Sequence, residues 1–247
     1  MGDAITGEWI RLGEGPDAYL AAPADGAARG AIVAGAEMFG LTRHARGVCD
    51  RLARAGYAVV APDFYWRDDR LVNLGYDDAG RAEGRRLMQR LDRENVLADV
   101  SAALAAATAR AGGAGTAMVG LSMVGHIAVL AATRIRLDLA ATFYSGWTLH
   151  GGIPLAEPSP PLADAAAIAA NGTFVLGFVG GDDFLIPADE WRDIDARLTA
   201  EGVAHELISY PGVPHGFCNE DRPDVFDATA SADAWQRLFG ALRNRVG

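Results

Sequence analysis

The sequence predicts an α/β fold, with a mostly parallel, doubly wound β-sheet covered by helices on both faces. Short apolar runs recur along the chain, and segments with helical periodicity lie between them. Most of these runs are continuous rather than alternating, which is typical of parallel strands buried on both faces. The regular alternation of strand with helix then predicts the doubly wound arrangement.

Each element follows from a local pattern. Runs in which apolar and polar residues alternate lie on either side of a Gly-Pro turn, and they predict an opening hairpin with strands at 8–12 and 18–21. The apolar runs predict further strands at 31–36, 58–61, 116–121, 139–144, 173–179 and 206–210. Helical periodicity predicts helices at 44–55, 78–110, 123–134, 163–170, 188–201 and 224–243. The Pro- and Gly-rich stretch at 151–161 is predicted to be a loop over one edge of the sheet.

Length and composition limit the class of protein. A chain of 247 residues can bury the core of one such domain, so we predict a single domain spanning 1–247. Polar residues interrupt the apolar stretches, and no leader segment opens the sequence, so we expect no membrane span and a cytoplasmic location. The formal net charge of -10 opposes binding to a phosphate backbone, which argues against a nucleic-acid partner. The two cysteines, Cys49 and Cys218, are expected to stay reduced.

Several kinds of chemistry are excluded by what the sequence lacks. It contains no lysine, which excludes a Schiff-base lysine, a phosphate-loop lysine and a Ser-Lys dyad. No histidine pair has the H-E-x-x-H spacing, and the cysteines form no C-x-x-C motif. No G-x-G-x-x-G links a strand to a helix. We therefore predict neither a metal nor another cofactor.

A candidate nucleophile lies in the segment 116–125, where an apolar strand ends at Gly120 and a helix begins after Ser122. This arrangement is typical of a nucleophile elbow, a sharp strand-to-helix turn that exposes a serine hydroxyl. The usual pattern is G-x-S-x-G. Here Val124 takes the place of the second glycine, and Gly125 follows it. The alternative is that Ser122 only caps the helix.

A serine nucleophile needs a histidine base and an orienting carboxylate placed after later strands. Asp183 follows the predicted strand at 173–179, and His215 follows the predicted strand at 206–210. The order Ser, Asp, His is that of the α/β-hydrolase fold, so Ser122, Asp183 and His215 are predicted as nucleophile, acid and base. Taken singly, Asp183 would also suit a turn or cap, and His215 an exposed loop. His126 precedes the acid and His205 begins a strand, so both fit the base less well.

Acyl transfer also needs amides that bind an oxyanion, usually the amide after the nucleophile and one after an early strand. Met123 and Met38 supply amides at these two points. Glu37, beside Met38, would then be a carboxylate near the nucleophile. It either contacts substrate and neighbouring groups or is a solvated loop glutamate.

Motifs in the order E-M-F-G at 37–40, A-P-D-F-Y-W at 61–66, G-L-S-M-V-G at 120–125, G-G-D-D at 180–183 and P-H-G-F at 214–217 resemble those of the dienelactone hydrolase family. The resemblance covers nearly the whole chain. It implies an α/β-hydrolase whose nucleophile, acid and base are Ser122, Asp183 and His215. It also places Glu37 next to the nucleophile.

The chain departs from that family within the site. Characterised dienelactone hydrolases have a cysteine at the position of Ser122. The resemblance places Arg81 where the family binds the carboxylate of the lactone, whereas Arg85 and Met88 replace aromatic residues, and Asn219 replaces a second arginine. These differences argue against dienelactone itself as the substrate. Arg81 and Arg85 share one helix face, which would clamp an anionic substrate or remain solvated.

The leading hypothesis is hydrolysis of a small carboxylic ester or lactone through an acyl-enzyme on Ser122. Tyr65, Trp66 and Trp147 are predicted to line the pocket. The alternatives are an acyltransferase or amidase with the same triad, or a non-catalytic small-molecule binding module in which Val124 distorts the elbow. The family resemblance implies a monomer or weak homo-oligomer.

Overall fold

The computed structural model describes residues 4–113 and 115–247, and within them an eight-stranded sheet forms the centre of the molecule. The strand order is β1-β2-β4-β3-β5-β6-β7-β8. β1 pairs antiparallel with β2, and β2 with β4, while the other neighbours are parallel. The strands are β1 Ile5–Arg11, β2 Asp17–Pro23, β3 Ala31–Ala36, β4 Ala58–Pro62, β5 Thr116–Leu121, β6 Leu139–Phe143, β7 Phe174–Gly180 and β8 His205–Tyr210. The predicted fold class and opening hairpin are confirmed, although residues 1–3 and 114 of the predicted domain lie outside the described residues.

Helices cover both faces of the sheet. Alternate residues of β3 divide between two apolar layers: Ile32 and Ala34 pack in the layer that includes α1 and α7, and Ala31 and Val33 in the layer that includes α3 and α4. Burial on both faces explains why the central strands read as continuous apolar runs. The helices are α1 Arg43–Arg54, α2 Asp78–Met88, α3 Arg93–Ala111, α4 Met123–Ala132, α5 Ala165–Ala170, α6 Ala188–Ala200 and α7 Ala228–Arg245.

The single helix predicted at 78–110 is wrong, because the chain forms α2 and α3 with a break between them. The carboxylate of Asp92 accepts a hydrogen bond from the amide of Asn95 at 2.9 Å, and so caps the start of α3. An N-terminal cap satisfies an amide that would otherwise lack an intrahelical partner. The break lets α2 turn toward the end of the sheet that carries the candidate site.

The stretch at 151–161 differs from its prediction as a loop over the sheet edge. Its apolar residues Ile153, Leu155 and Ala156 are buried in the same layer as α3, and short 3-10 turns occupy Pro154–Ala156 and Pro161–Asp164. Removing apolar side chains from water favours this inward packing over an exposed loop. In the described ranges, no helix combines the length and hydropathy that a membrane crossing requires.

Candidate active site

Ser122 lies at a strained turn between β5 and α4. Its backbone has φ 53° and ψ -118°, a region that side-chain-bearing residues rarely adopt and that costs about 1–3 kcal/mol. Gly120 makes the turn possible, because a Cβ there would lie 2.2 Å from the carbonyl oxygen of Val124. The turn aims the serine away from the strand, and the Ser122 side chain makes no hydrogen bond that caps α4.

Val124 fits the elbow because the neighbouring strand provides room for it. A Cβ on Gly35 of β3 would lie 2.9 Å from Cγ1 of Val124, so the space is made by a glycine on another strand. Gly125 faces the loop after β6, where a Cβ would lie 1.8 Å from Oγ of Ser145. The valine is therefore accommodated without loss of the sharp turn at Ser122.

The three predicted triad residues lie together in the described structure. Asp183 and His215 follow β7 and β8, so both reach the same end of the parallel sheet as Ser122. Ser122 Oγ is 3.1 Å from His215 Nε2, and His215 Nδ1 is 2.8 Å from Asp183 Oδ2. A carboxylate only accepts, so Nδ1 carries the proton and Nε2 is left to accept from the serine hydroxyl. The other carboxylate oxygen of Asp183 accepts from the amide of Leu185 at 2.8 Å.

Two aromatic rings hold the imidazole of His215. The Tyr144 ring lies edge-on with its centroid 4.9 Å away, and the Phe184 ring lies 5.3 Å away. Phe184 is 79% exposed, although it follows directly after the buried Asp183. Sequence reasoning missed both roles. Phe184 could have been found from its place after the carboxyl end of a predicted strand, whereas Tyr144 carries no such signal.

A cavity of about 330 Å³ opens in front of Ser122 and His215. One part of its wall is apolar and aromatic, and another part presents three guanidinium groups. The apolar residues are Met38, Phe39, Met88, Trp147, Phe184 and Leu185, and the charged ones are Glu37, Arg81, Arg85 and Arg222. Such a mixed lining suits a small molecule with one apolar and one anionic part.

The helix face that carries Arg81 and Arg85 is turned toward this cavity. Arg81 pairs with Asp78 at 3.2 Å, whereas Arg85 makes no ion pair with any residue that the structure describes. Arg222 adds a third guanidinium from the segment after His215, and its buried Nε has no partner among the described residues. Arg222 also pairs with Asp224 at 3.7 Å, so Arg85 has more of its donors free for a ligand than Arg222 has.

Glu37 is buried, with 5% of its surface exposed, so the alternative of a solvated loop glutamate is wrong. Its carboxylate accepts from Nδ2 of Asn219 at 3.1 Å, in the same segment as His215. Burial raises the pKa of Glu37, while Arg222, Asn219 and His215 act against that rise. Asn219 therefore contacts the glutamate, a relationship that sequence spacing did not reveal.

Met38 and Met123, the two residues predicted to supply oxyanion amides, both lie beside the candidate nucleophile. Met38 lines the cavity, and Met123 is the first residue of α4, directly after Ser122. Within the described ranges, neither amide donates to a protein acceptor. A helix N-terminus also carries partial positive charge, which favours an anion beside Met123.

Comparison with known proteins identifies the family. The sequence profile of the dienelactone hydrolase family matches residues 17–245. The chain belongs to the dienelactone hydrolase family. A "Putative carboxymethylenebutenolidase" of Synechocystis sp. is 31% identical over 222 residues, which cover 89% of this chain and 88% of that protein. A Salmonella typhimurium protein of the same name is 33% identical over 231 residues, 92% of this chain and 82% of that one.

A solved structure agrees with this assignment. The crystal structure of a "Putative Dienelactone Hydrolase" from Klebsiella pneumoniae superposes with a TM-score of 0.84 at 27% sequence identity, covering 97% of this chain and 99% of that one. The resemblance seen in the sequence motifs is thereby confirmed. At this level, the chain is a hydrolase of the dienelactone hydrolase type with the α/β-hydrolase fold.

Two of the aromatic residues predicted to line the pocket of this dienelactone hydrolase family member lie elsewhere. Trp147 lines the cavity, but Tyr65 and Trp66 do not. The Trp66 indole nitrogen donates to Asp99 of α3 at 3.2 Å, and the Arg67 guanidinium stacks on the Trp66 ring at 4.4 Å. Tyr65 is buried behind the cavity wall, where its hydroxyl bonds to the Met38 carbonyl. The direction of each side chain after β4 was not readable from the local pattern.

In the described structure, the rings of His205 and His126 bond to groups other than the Ser122 hydroxyl. His205 begins β8 at the opposite end of the sheet and pairs with Asp195 at 3.1 Å. His126 is fully buried in α4, with Nδ1 3.3 Å from the carbonyl oxygen of Gly146, in the loop that carries Trp147. Burial lowers the pKa of His126 from 6.5 to about 4, so its ring stays neutral near pH 7. Among the described residues, no group of three or more His, Cys, Asp or Glu side chains is arranged to hold a metal.

The depressed pKa of His126 predicts a loss of stability in mild acid. The His126 imidazole binds a proton near pH 6.5 in the unfolded chain but only near pH 4 in the folded chain. Between these two pH values the unfolded chain therefore holds the extra proton, and falling pH favours unfolding. The free energy of unfolding should fall by about 2 kcal/mol between pH 7 and pH 5 from this group alone. Urea unfolding of the wild type and of His126→Asn, whose amide retains a donor, measures this contribution. An equal fall in both proteins would contradict the prediction.

Proposed function

We propose that the protein hydrolyses a small carboxylic ester or lactone through an acyl-enzyme on Ser122. The observation that carries this proposal is the hydrogen-bonded chain from Ser122 Oγ to His215 Nε2 at 3.1 Å and from His215 Nδ1 to Asp183 Oδ2 at 2.8 Å. The strained turn at Ser122 and the cavity in front of this residue also support the proposal. The family assignment supports ester or lactone hydrolysis at a coarser level.

The geometry suits the following sequence of steps. His215 Nε2 takes the hydroxyl proton as Ser122 Oγ attacks the carbonyl carbon, and the carbonyl oxygen becomes an oxyanion. The amides of Met38 and Met123 bind this oxyanion, and the Asp183 carboxylate stabilises the imidazolium. His215 then gives the proton to the leaving oxygen, and the acyl-enzyme forms. Water attacks the acyl-enzyme by the same route, releasing the acid and restoring the serine.

The lining of the cavity supports an ester or lactone that carries a negative charge. Arg85 and Arg222 lack full protein partners among the described residues, and charge-assisted hydrogen bonds to an anion are stronger than neutral ones. Trp147 and Phe184 offer the apolar surface for the rest of the molecule. A cavity of about 330 Å³ limits that molecule to a small one.

Replacing Arg85 with Ala should lower kcat/KM for an anionic ester by about 10-fold or more, because the variant loses a charge-assisted hydrogen bond to substrate. The measurement compares two aryl esters, one whose acyl chain ends in a carboxylate and one that ends in a methyl group. Only the anionic ester should be affected. Arg86→Ala is the matched control, because Arg86 is the next residue, pairs with Glu83 at 2.6 Å and does not line the cavity. Equal losses for both esters would argue against an anion subsite.

The proposal is tested by treating the protein with a fluorophosphonate, followed by intact-mass spectrometry and peptide mapping. A single adduct on Ser122, absent from Ser122→Ala, is the expected result. Labelling together with acyl transfer to an added alcohol or amine in preference to water would indicate an acyltransferase. Release of product from an amide in preference to an ester would indicate an amidase. No adduct on the folded protein would overturn the proposal in favour of a binding module.

A further inference from the structure

The Tyr65 hydroxyl contacts both residues whose amides are proposed to bind the oxyanion. It lies 3.0 Å from the carbonyl oxygen of Met38 and 3.3 Å from Sδ of Met123. The carbonyl is the stronger acceptor, so the hydroxyl proton is directed mainly to Met38, with the sulfur as a weaker partner. Tyr65 is itself buried and does not line the substrate cavity.

The two sides of this oxyanion site come from separate parts of the chain. Met38 belongs to the loop after β3, and Met123 begins α4 after β5. Their relative position therefore depends on packing between loops rather than on a shared element. Tyr65 comes from a third place, the segment after β4, and is the side chain that bridges the other two.

Two groups contact the Met38 carbonyl, the backbone of Gly84 and the hydroxyl of Tyr65. Glu37 directly before it has φ 49°, an unfavourable conformation that needs support from its surroundings. Gly84 of α2 packs against the same carbonyl, and a Cβ at that position would lie only 2.9 Å from the oxygen. The Tyr65 hydroxyl supplies the directional hydrogen bond in this arrangement. Burial raises the pKa of Tyr65 well above its usual value, so the hydroxyl remains a donor throughout the working pH range.

We propose that Tyr65 is a positioning residue that holds the amides of Met38 and Met123 at the separation required to bind the oxyanion. This inference rests on the proposed serine-hydrolase function. Donors aimed at a developing oxyanion act mainly in the transition state, and small displacements of such groups cost large factors in rate. Loss of the hydroxyl should therefore slow the chemical steps while leaving binding of the ground-state substrate nearly unchanged.

The test is Tyr65→Phe, with wild-type labelling of Ser122 by a fluorophosphonate established first. We expect kcat for a small ester to fall by about 10- to 100-fold, with KM within about two-fold. Tyr57→Phe is the matched control, because Tyr57 is also buried and donates to a backbone carbonyl, that of Gly247, at 3.0 Å far from the site. Affinity for a trifluoromethyl ketone, which forms an oxyanion on the serine, should fall with kcat, whereas affinity for the corresponding unreactive alcohol should not.

Gly84→Ala provides an independent variant, because the three atoms nearest to its Cβ would all belong to Met38, with the carbonyl oxygen at 2.9 Å. It should show the same selective loss of kcat, and it takes the place of Tyr65→Phe if that variant does not fold. A kcat within two-fold of wild type in folded Tyr65→Phe, or an equal loss in Tyr57→Phe, would overturn the positioning role while leaving the nucleophile assignment intact. Absence of wild-type labelling at Ser122 would instead overturn the proposed function.

Discussion

Ser122→Ala should lower ester turnover by about 10⁴- to 10⁶-fold, because the variant has no atom that can form the acyl-enzyme. Binding of substrate should persist, since the cavity wall and its arginines remain. The measurement is steady-state hydrolysis of a small aryl ester, with a thermal unfolding curve to show that the variant is folded. Alanine keeps a side chain at the strained position, so we expect little change in stability.

Ser101→Ala is a suitable control for this experiment. Ser101 lies on α3, where its hydroxyl donates to the carbonyl of Leu97 at 2.8 Å, away from the cavity. Its turnover should match that of the wild type. Retention of full activity by Ser122→Ala would mean that another group performs the chemistry, and the triad assignment would then be wrong.

Asp183→Asn should lower kcat by about 10⁴-fold, with the overall geometry preserved. An amide at this position can donate to His215 Nδ1, which moves the imidazole proton to Nε2. Nε2 can then no longer accept the proton of the Ser122 hydroxyl, which lies 3.1 Å away in the native protein. The measurement is the pH profile of kcat, because activity should return partly at high pH, where hydroxide can replace the lost base.

The adjacent Asp182 provides the matched control. Asp182 is exposed and its carboxylate does not contact His215, whereas Asp183 is buried against the ring. Asp182→Asn should therefore keep nearly full activity. A large loss of kcat in Asp182→Asn together with a small loss in Asp183→Asn would show that Asp182, and not Asp183, is the acid.

Much of the fold was predictable because strand burial leaves a local signature. The bounds of β3 and β5 match the predicted 31–36 and 116–121, since strands covered on both faces are apolar throughout. The break between α2 and α3 was missed because residues 78–110 keep a helical pattern across it. The inward packing of Ile153 and Leu155 was missed because Pro and Gly in that stretch dominate the local pattern.

The triad candidates were predictable for a topological reason. Parallel strands end at the same edge of a sheet, so residues that follow different strands become neighbours without any signal in their own local sequence. Chain order then excluded the three histidines that precede Asp183, and the place of His205 at the start of a strand left His215. Hydrogen bonds connect Ser122 to His215 and His215 to Asp183, the three residues that this reasoning selected.

The sequence by itself determined the α/β class, the family and the edge of the sheet at which the candidate residues gather, because periodicity, chain order and motif spacing are properties of the linear chain. Tertiary structure alone decided where the side chains of the connecting loops point. Tyr65 and Trp66 are adjacent in sequence, yet Tyr65 lies behind the oxyanion loop and Trp66 bonds to α3. Glu37 and Asn219 are far apart in sequence, yet they share a hydrogen bond. Loop side chains are oriented by whichever distant surfaces they pack against, and no local pattern encodes those surfaces.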